Sequence, residues 1–136
     1  MYVRAAMSEV VLTVGPGHTL REAARLMCRR NVGAAIVVDP DGQGPGVITE
    51  RDILRSLAAD EDPDIQLVAN HLTADLTFAR PDWSLEQAAA AMVRGGFRHL
   101  PVVENRQLVG ILSMRDIVRC WTEDGATSEI PARAHA

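Results

Sequence analysis

Short β-branched apolar runs alternate along the chain with longer segments whose apolar residues recur at helical spacing, and this order occurs twice. The short runs predict strands, and the longer segments predict amphipathic helices with one apolar stripe each. Each half of the chain is therefore predicted to fold in the order β-α-β-β-α. The predicted strands span 10–14, 34–38 and 46–49 in the first half, and 76–79, 100–103 and 108–113 in the second.

The first helix of each half has clear start and end signals. Thr19 followed by Glu22, and Ser84 followed by Gln87, are capping boxes in which the hydroxyl caps a backbone amide and the longer side chain reaches back. Residues 31 and 95–96, an asparagine and two glycines, are predicted to end these helices.

One short motif, at the junction between the last strand and the second helix of each half, is repeated 64 residues later. An internal duplication of this size means that each copy must pack against the other, and any binding chemistry then occurs twice. We expect a first repeat at 1–59, an acidic linker at 60–67, a second repeat at 68–121 and a mobile tail at 122–136. The motif residues are Gly46, Thr49, Arg51 and Asp52 in the first copy, and Gly110, Ser113, Arg115 and Asp116 in the second.

Composition narrows the class of protein. The chain has 136 residues, 47% hydrophobic and 24% charged, with a net charge of −4, which gives no sign of a nucleic-acid or membrane partner. Cys28 and Cys120 are not spaced as a metal site or redox pair, and the four histidines are scattered, so we expect reduced thiols and no metal site. With no signal peptide or membrane span in the sequence, we expect a cytoplasmic protein.

The doubled motif, Gly, two apolar residues, Thr or Ser, two further residues and Asp, resembles that of the cystathionine β-synthase (CBS) domain. The resemblance covers residues 3 to 121. It implies an α+β fold of two β-α-β-β-α repeats packed sheet to sheet with pseudo-two-fold symmetry, a stand-alone tandem pair of the kind called a Bateman module.

The resemblance also implies ligand sites in clefts between the repeats. Members of this family commonly bind adenosine-containing ligands such as AMP, ADP, ATP or S-adenosylmethionine. By this resemblance Asp52 and Asp116 accept hydrogen bonds from ribose, and Thr49 and Ser113 face the phosphate. Strands of the opposite repeat are expected to complete each site: Leu76, Phe97, Arg98 and His99 for Asp52, and Val11, Val32, Gly33 and Ala34 for Asp116.

Elementary chemistry supports such a site. A helix start offers free backbone amides and a positive dipole end to a phosphate, and Arg51 or Arg115 in the first turn adds a cation. The alternative is that Thr49 with Asp52, and Ser113 with Asp116, are only helix caps. The use of a short Asp at both second helices, where the first helices use Glu or Gln, favours a ligand. Because the charged pair 98–99 is assigned to the Asp52 site, we expect that site to be the stronger.

Two functions remain open. The first is a regulatory module that senses an adenine nucleotide, requires no cofactor and acts on an unidentified protein partner. The second is a ligand-free interaction module whose apolar helix residues build a homodimer. We expect no enzymatic activity, because no catalytic set of residues is recognisable. The residues expected at the dimer surface are Leu54, Leu57, Val118 and Trp121.

Overall fold

The computed structural model describes residues 1–42 and 44–123; the predicted tail at 122–136 therefore lies almost entirely outside the described residues. The fold is α+β, as predicted, and the chain forms two compact units. The first-repeat unit is Val10–Leu76, and the second-repeat unit combines Met1–Glu9 with the chain from Thr77 onward.

The first-repeat unit contains a three-stranded sheet in the order β1-β2-β3. β1 pairs with β2 in parallel, and β2 pairs with β3 as an antiparallel hairpin. All residues of β2 are buried, which matches its continuous apolar sequence. The elements are β1 Thr13–Val14, α2 Leu20–Arg30, β2 Ala34–Val37, β3 Gly46–Thr49, α3 Glu50–Ala58 and a 3-10 helix Val68–Asn70.

The second-repeat unit contains an antiparallel hairpin, β4 with β5. The predicted strand at 76–79 is reduced to a single bridge between Ala79 and Val102. The bridge consists of two backbone bonds: the Ala79 amide donates to the Pro101 carbonyl oxygen, and the Ala79 carbonyl oxygen accepts from the Val103 amide. The elements are α1 Val3–Ala6, α4 Leu85–Gly95, β4 His99–Glu104, β5 Gln107–Ser113 and α5 Met114–Glu123.

The predicted helix signals of α2 and α4 are confirmed. Both capping boxes are complete, with the hydroxyls of Thr19 and Ser84 accepting from the amides three residues later. Asn31 and Gly96 follow the helices in the left-handed conformation, with φ of 54° and 71°.

The segment that precedes each repeat in sequence packs in the unit of the other repeat. Val3 and Ala6 of α1 are buried in the core that contains α4 and β5, whereas Val68 is buried in the core that contains α2 and β2. Ser8 exchanges two backbone hydrogen bonds with Ile111 on β5, of 2.9 and 3.0 Å. The outer edge of each motif strand therefore has a backbone partner from an exchanged segment.

The acidic linker is tied to the first-repeat unit. The guanidinium of Arg21 on α2 pairs with Asp64, and this contact holds the pKa of the Asp64 carboxyl below its usual value. The hydroxyl of the buried Ser56 donates to Glu61 at 2.8 Å. The linker thus has one side-chain contact to α2 and one to α3.

Two further observations bear on the expected class of protein. Among residues 1–42 and 44–123, no helix is long and apolar enough to cross a membrane. Cys28 is exposed and Cys120 is buried, and both are free thiols.

Candidate functional site

The repeated glycine lies where an exchanged segment crosses the motif strand. A Cβ at Gly46 would be 2.8 Å from Leu72 Cδ1 and 3.2 Å from the Thr73 carbonyl oxygen. A Cβ at Gly110 would be 2.7 Å from the carbonyl oxygen of Ser8. Glycine is required in both copies because the exchanged segment approaches the strand too closely for a side chain.

Each motif strand then passes directly into a helix that its own Thr or Ser and Asp cap. Asp52 Oδ2 accepts from the Thr49 amide at 2.8 Å, and the Thr49 hydroxyl oxygen accepts from the Asp52 amide at 3.2 Å. Ser113 and Asp116 make the same two bonds, at 2.8 and 3.0 Å. The short Asp thus caps as completely as Glu22 does in α2, and the contrast drawn from its length does not distinguish a ligand site from a cap.

The expectation of free backbone amides at these helix starts is wrong for most of the first turn. The amides of Thr49 and Asp52 are used by the cap, and the Glu50 amide donates to the Gly33 carbonyl oxygen at 2.9 Å. The α5 start repeats this pattern, since the Met114 amide donates to the Arg98 carbonyl oxygen at 2.9 Å. An anion here would depend on side-chain charge and the helix dipole rather than on an open row of amides.

The carboxylates of Asp52 and Asp116 differ in the surroundings of Oδ1, the oxygen that takes no part in the cap. Among the described residues, Asp52 Oδ1 has no hydrogen-bond partner, so it can accept from a ribose hydroxyl while Oδ2 maintains the cap. Asp116 Oδ1 lies 3.3 Å from Arg119 Nη2. Because the Arg119 side chain is 52% exposed, this ion pair is weak and can yield to a ligand.

The segments before β2 and β4 lie beside the helix start of their own unit, a neighbourhood that the assignment made from the resemblance did not include. Ala34 pairs with Thr49 in the β2-β3 hairpin, and His99 pairs with Ser113 in the β4-β5 hairpin. Residues 97–99 therefore adjoin Asp116, and residues 32–34 adjoin Asp52. A hairpin fixes this neighbourhood, because its first strand must begin where its second ends.

We name two groups of residues by the helix that they adjoin. The α3 site contains Thr49, Asp52, Gly33 and Glu50; the α5 site contains Ser113, Asp116, Arg98 and Met114.

Charge separates these two groups. In the α3 site the carboxylate of Glu50 covers Gly33: a Cβ at Gly33 would lie 2.9 Å from Glu50 Oε1. In the α5 site the same two positions are Met114 and Arg98, an uncharged residue and a cation. Arg51 and Arg115 occupy equal positions in the two copies, so the residue type there is the same.

The remaining predicted residues are distributed between the two units. Val11, just before β1, is half-buried, and Val32 is 42% exposed beside the α3 site. Phe97 packs against the core of the second-repeat unit. Leu76 is half-buried at the end of the first-repeat unit.

Sequence reasoning missed Glu50, Met114 and Arg119 as site residues. Glu50 and Met114 stand inside the repeated motif, and a comparison of the two copies at the variable positions is the signal that finds them.

Within the described part of the chain, no group of three or more His, Cys, Asp or Glu side chains could hold a metal ion.

Comparison with known proteins identifies the family. A family model of the CBS domain matches residues 3–59 and again 68–123. The chain belongs to the CBS domain family. It is 36% identical over 135 residues to the CBS domain-containing protein YhcV of Bacillus subtilis, a match that covers 98% of this chain and 95% of that protein. An uncharacterized protein of Methanocaldococcus jannaschii is 36% identical over 124 residues; the match covers 91% of this chain and 44% of that protein.

Solved structures of CBS domain pairs have the same fold. A protein with CBS domains from Burkholderia ambifaria matches with a TM-score of 0.85 and 27% identity, covering 91% of this chain and 96% of that one. The CBS domain pair of protein MJ0100 was solved in complex with 5′-methylthioadenosine and S-adenosyl-L-methionine. It matches with a TM-score of 0.80 and 26% identity, covering 91% of this chain and 98% of that one. The sequence-based prediction of a CBS pair is confirmed.

Proposed function

We propose that this CBS pair is a regulatory module that binds adenosine-containing ligands at the α3 and α5 sites. The carboxylate of Asp52 is the observation that carries the proposal. One oxygen is committed to the cap and holds the side chain in place, while the other is available to ribose hydroxyl donors. The related pair of protein MJ0100, with its two adenosine-type ligands, supports this ligand class.

Regulation by such a ligand requires two states of the protein with different affinities. A ligand shifts the balance between states only by the ratio of its affinities for them. The chain itself is proposed to be non-catalytic, with the altered state acting on a protein partner.

Calorimetric titration combined with thermal unfolding tests the ligand class. We expect at least one of AMP, ADP, ATP, S-adenosylmethionine and 5′-methylthioadenosine to bind and to raise the unfolding temperature. At 100 times the dissociation constant the stabilisation is about 2.7 kcal/mol. Asp52→Asn and Asp116→Asn keep an oxygen for the cap but remove the charge, and each should weaken binding at its own site.

The matched control is Glu22→Gln, because it makes the same chemical change in a capping box that belongs to neither motif. It should leave ligand affinity unchanged. Absence of binding by all five compounds at millimolar concentration would rule out the proposal.

A second function, self-association, is favoured by exposed apolar side chains on α3 and α5. Leu54 is 65% exposed and Leu57 48%, and their counterparts Val118 and Trp121 are 51% and 39% exposed. A CBS-CP12 protein from bloom-forming cyanobacteria, with a TM-score of 0.82 and 25% identity, is described as hexameric. Apolar positions repeated on both helices are typical of surfaces that a partner copy covers.

Light scattering coupled to size exclusion tests self-association. We expect the wild-type chain to elute with the mass of a dimer, and Leu54→Asp with Trp121→Asp to convert it to the mass of one chain. Val93→Asp, an equally apolar and 74% exposed position on α4, is the control. A single-chain mass for the wild-type protein would contradict the dimer.

A further inference from the structure

We infer that the α3 and α5 sites select adenosine derivatives of different charge, and that Glu50 sets the difference. The α3 site takes derivatives without a phosphate, such as a thioether or sulfonium nucleoside, and the α5 site takes phosphorylated ones. The inference rests on the proposed function and adds to it a ligand class for each site.

The α3 and α5 sites have the same backbone geometry, so the difference between them lies in side-chain charge. Each start uses the same cap bonds and the same bond from the first helical amide to the preceding segment, all between 2.8 and 3.2 Å. Since those amides are already occupied in both sites, neither backbone offers a phosphate more than the other does. The dipole of the helix start is also common to both.

Glu50 places a negative charge at the first position of α3. Its amide is bonded to the Gly33 carbonyl oxygen, and its carboxylate lies over the Gly33 backbone. Gly33 has no side chain, which leaves the carboxylate room to lie there. A phosphate approaching the α3 start would meet this carboxylate, whereas an uncharged or cationic substituent would not be repelled.

The α5 site differs from the α3 site at both of these positions. Met114 replaces Glu50, and Arg98 replaces Gly33, so a carboxylate and a bare backbone become a thioether and a guanidinium. The guanidinium is suited to phosphate because its planar donors match two phosphate oxygens at once. The charges of the two paired positions, the motif Arg and the motif Asp add up to −1 at the α3 site and to +1 at the α5 site.

The expected effect is moderate because Glu50 and Arg98 are exposed. Two like charges about 4 Å apart in water repel by about 1 kcal/mol, which is about fivefold in affinity. Charge on these residues should therefore change the preference between ligands and leave binding of the common adenosine part intact.

Titration calorimetry with 5′-methylthioadenosine and AMP tests the inference one site at a time. Asp116→Asn protein isolates the α3 site, where we expect 5′-methylthioadenosine to bind more tightly than AMP. Adding Glu50→Gln should raise AMP affinity about fivefold with little change for 5′-methylthioadenosine. In Asp52→Asn protein AMP should bind more tightly, and Met114→Glu should lower its affinity by a similar factor.

The position of the carboxylate is tested by Gly33→Ala, which keeps the charge of Glu50 but displaces its side chain. We expect AMP affinity at the α3 site to change while the fold is retained. If Glu50→Gln and Met114→Glu both leave the ratio of the two affinities unchanged, the inference is wrong although the proposed function stands. If neither compound binds the wild-type protein, the proposed function fails first.

Discussion

The starts of α3 and α5 have the same hydrogen-bonded backbone and opposite charge. Thr49 with Asp52 and Ser113 with Asp116 hold the two helix starts in the same way, whereas the residue after each hydroxyl is acidic in one copy and apolar in the other. The residues that cap the helices are alike in the two copies, whereas the next residue is an exposed carboxylate at Glu50 and a partly buried side chain packed against the core at Met114. A duplicated motif can thus diverge in charge without disturbing its fold.

The largest expected effect concerns the cores of the two units and tests whether they contribute equally to stability. Ile48 on β3 and Leu112 on β5 are counterparts, and both are fully buried, at 0% exposure. Ile48→Ala and Leu112→Ala should each lower the free energy of unfolding by about 2–5 kcal/mol, because each leaves a cavity in its core.

Urea denaturation followed by circular dichroism measures both losses. Ile48→Val is the control and should cost about 0.5–1.5 kcal/mol. If the free energy of unfolding falls by less than about 1 kcal/mol in only one of the two alanine variants, the two cores are not equivalent.

A smaller and unequal effect is expected at the two motif glycines. Gly110→Ala places a methyl group 2.7 Å from the backbone oxygen of Ser8, whereas Gly46→Ala places one 2.8 Å from the end of the Leu72 side chain. A leucine methyl can rotate away and a backbone carbonyl cannot. We expect Gly110→Ala to cost about 1–3 kcal/mol and Gly46→Ala less.

Thermal unfolding of the two variants, each compared with wild type, measures this difference. Gly17→Ala is a suitable control because a Cβ there would meet no atom within 4 Å. Equal losses at the two motif glycines would mean that Leu72 and the Thr73 carbonyl, 3.2 Å from a Cβ at Gly46, together give way no more than the Ser8 backbone.

The smallest expected effect is a difference in the pH dependence of stability between the capping boxes of α2 and α4. Hydrogen bonds from the Thr19 amide and hydroxyl lower the pKa of Glu22 below its usual 4.5. The ionised form is thus favoured in the folded state, and its contribution is present above pH 4.5 and lost as the pH falls through the lowered value. The counterpart Gln87 cannot titrate.

Unfolding temperatures recorded from pH 6 to pH 3 test this difference. Glu22→Gln should remove a small part of the acid-induced loss of stability, and Gln87→Glu should add a similar part. A pH profile unchanged by both substitutions would show that neither capping box is coupled to the acid transition.

Much of the fold could be predicted from local sequence. The capping boxes and the hairpins each depend on residues close together in sequence, and they were correctly placed. The short pairing at Ala79 was not, because a β-branched run predicts extended backbone but not how many of its residues find a partner.

The site was predicted less completely than the fold. The motif residues lie at the two helix starts, as predicted, but the place of Arg98 beside the α5 start was not foreseen, although the antiparallel order of its own hairpin determines it. The occupied amides could not be predicted from the motif alone. They depend on the carbonyl groups of Gly33 and Arg98, which lie 17 and 16 residues upstream of Glu50 and Met114.

The exchange of the N-terminal segments has a consequence for the order of events during synthesis. The first-repeat unit is continuous in sequence, so its core is complete once residues up to Leu76 have emerged from the ribosome. Met1–Glu9 precedes that unit in the chain but belongs to the other core, which is incomplete until the chain reaches α5, more than a hundred residues later. Val3 and Ala6 are therefore expected to become buried only after the first-repeat unit is complete, although they precede that unit in the chain.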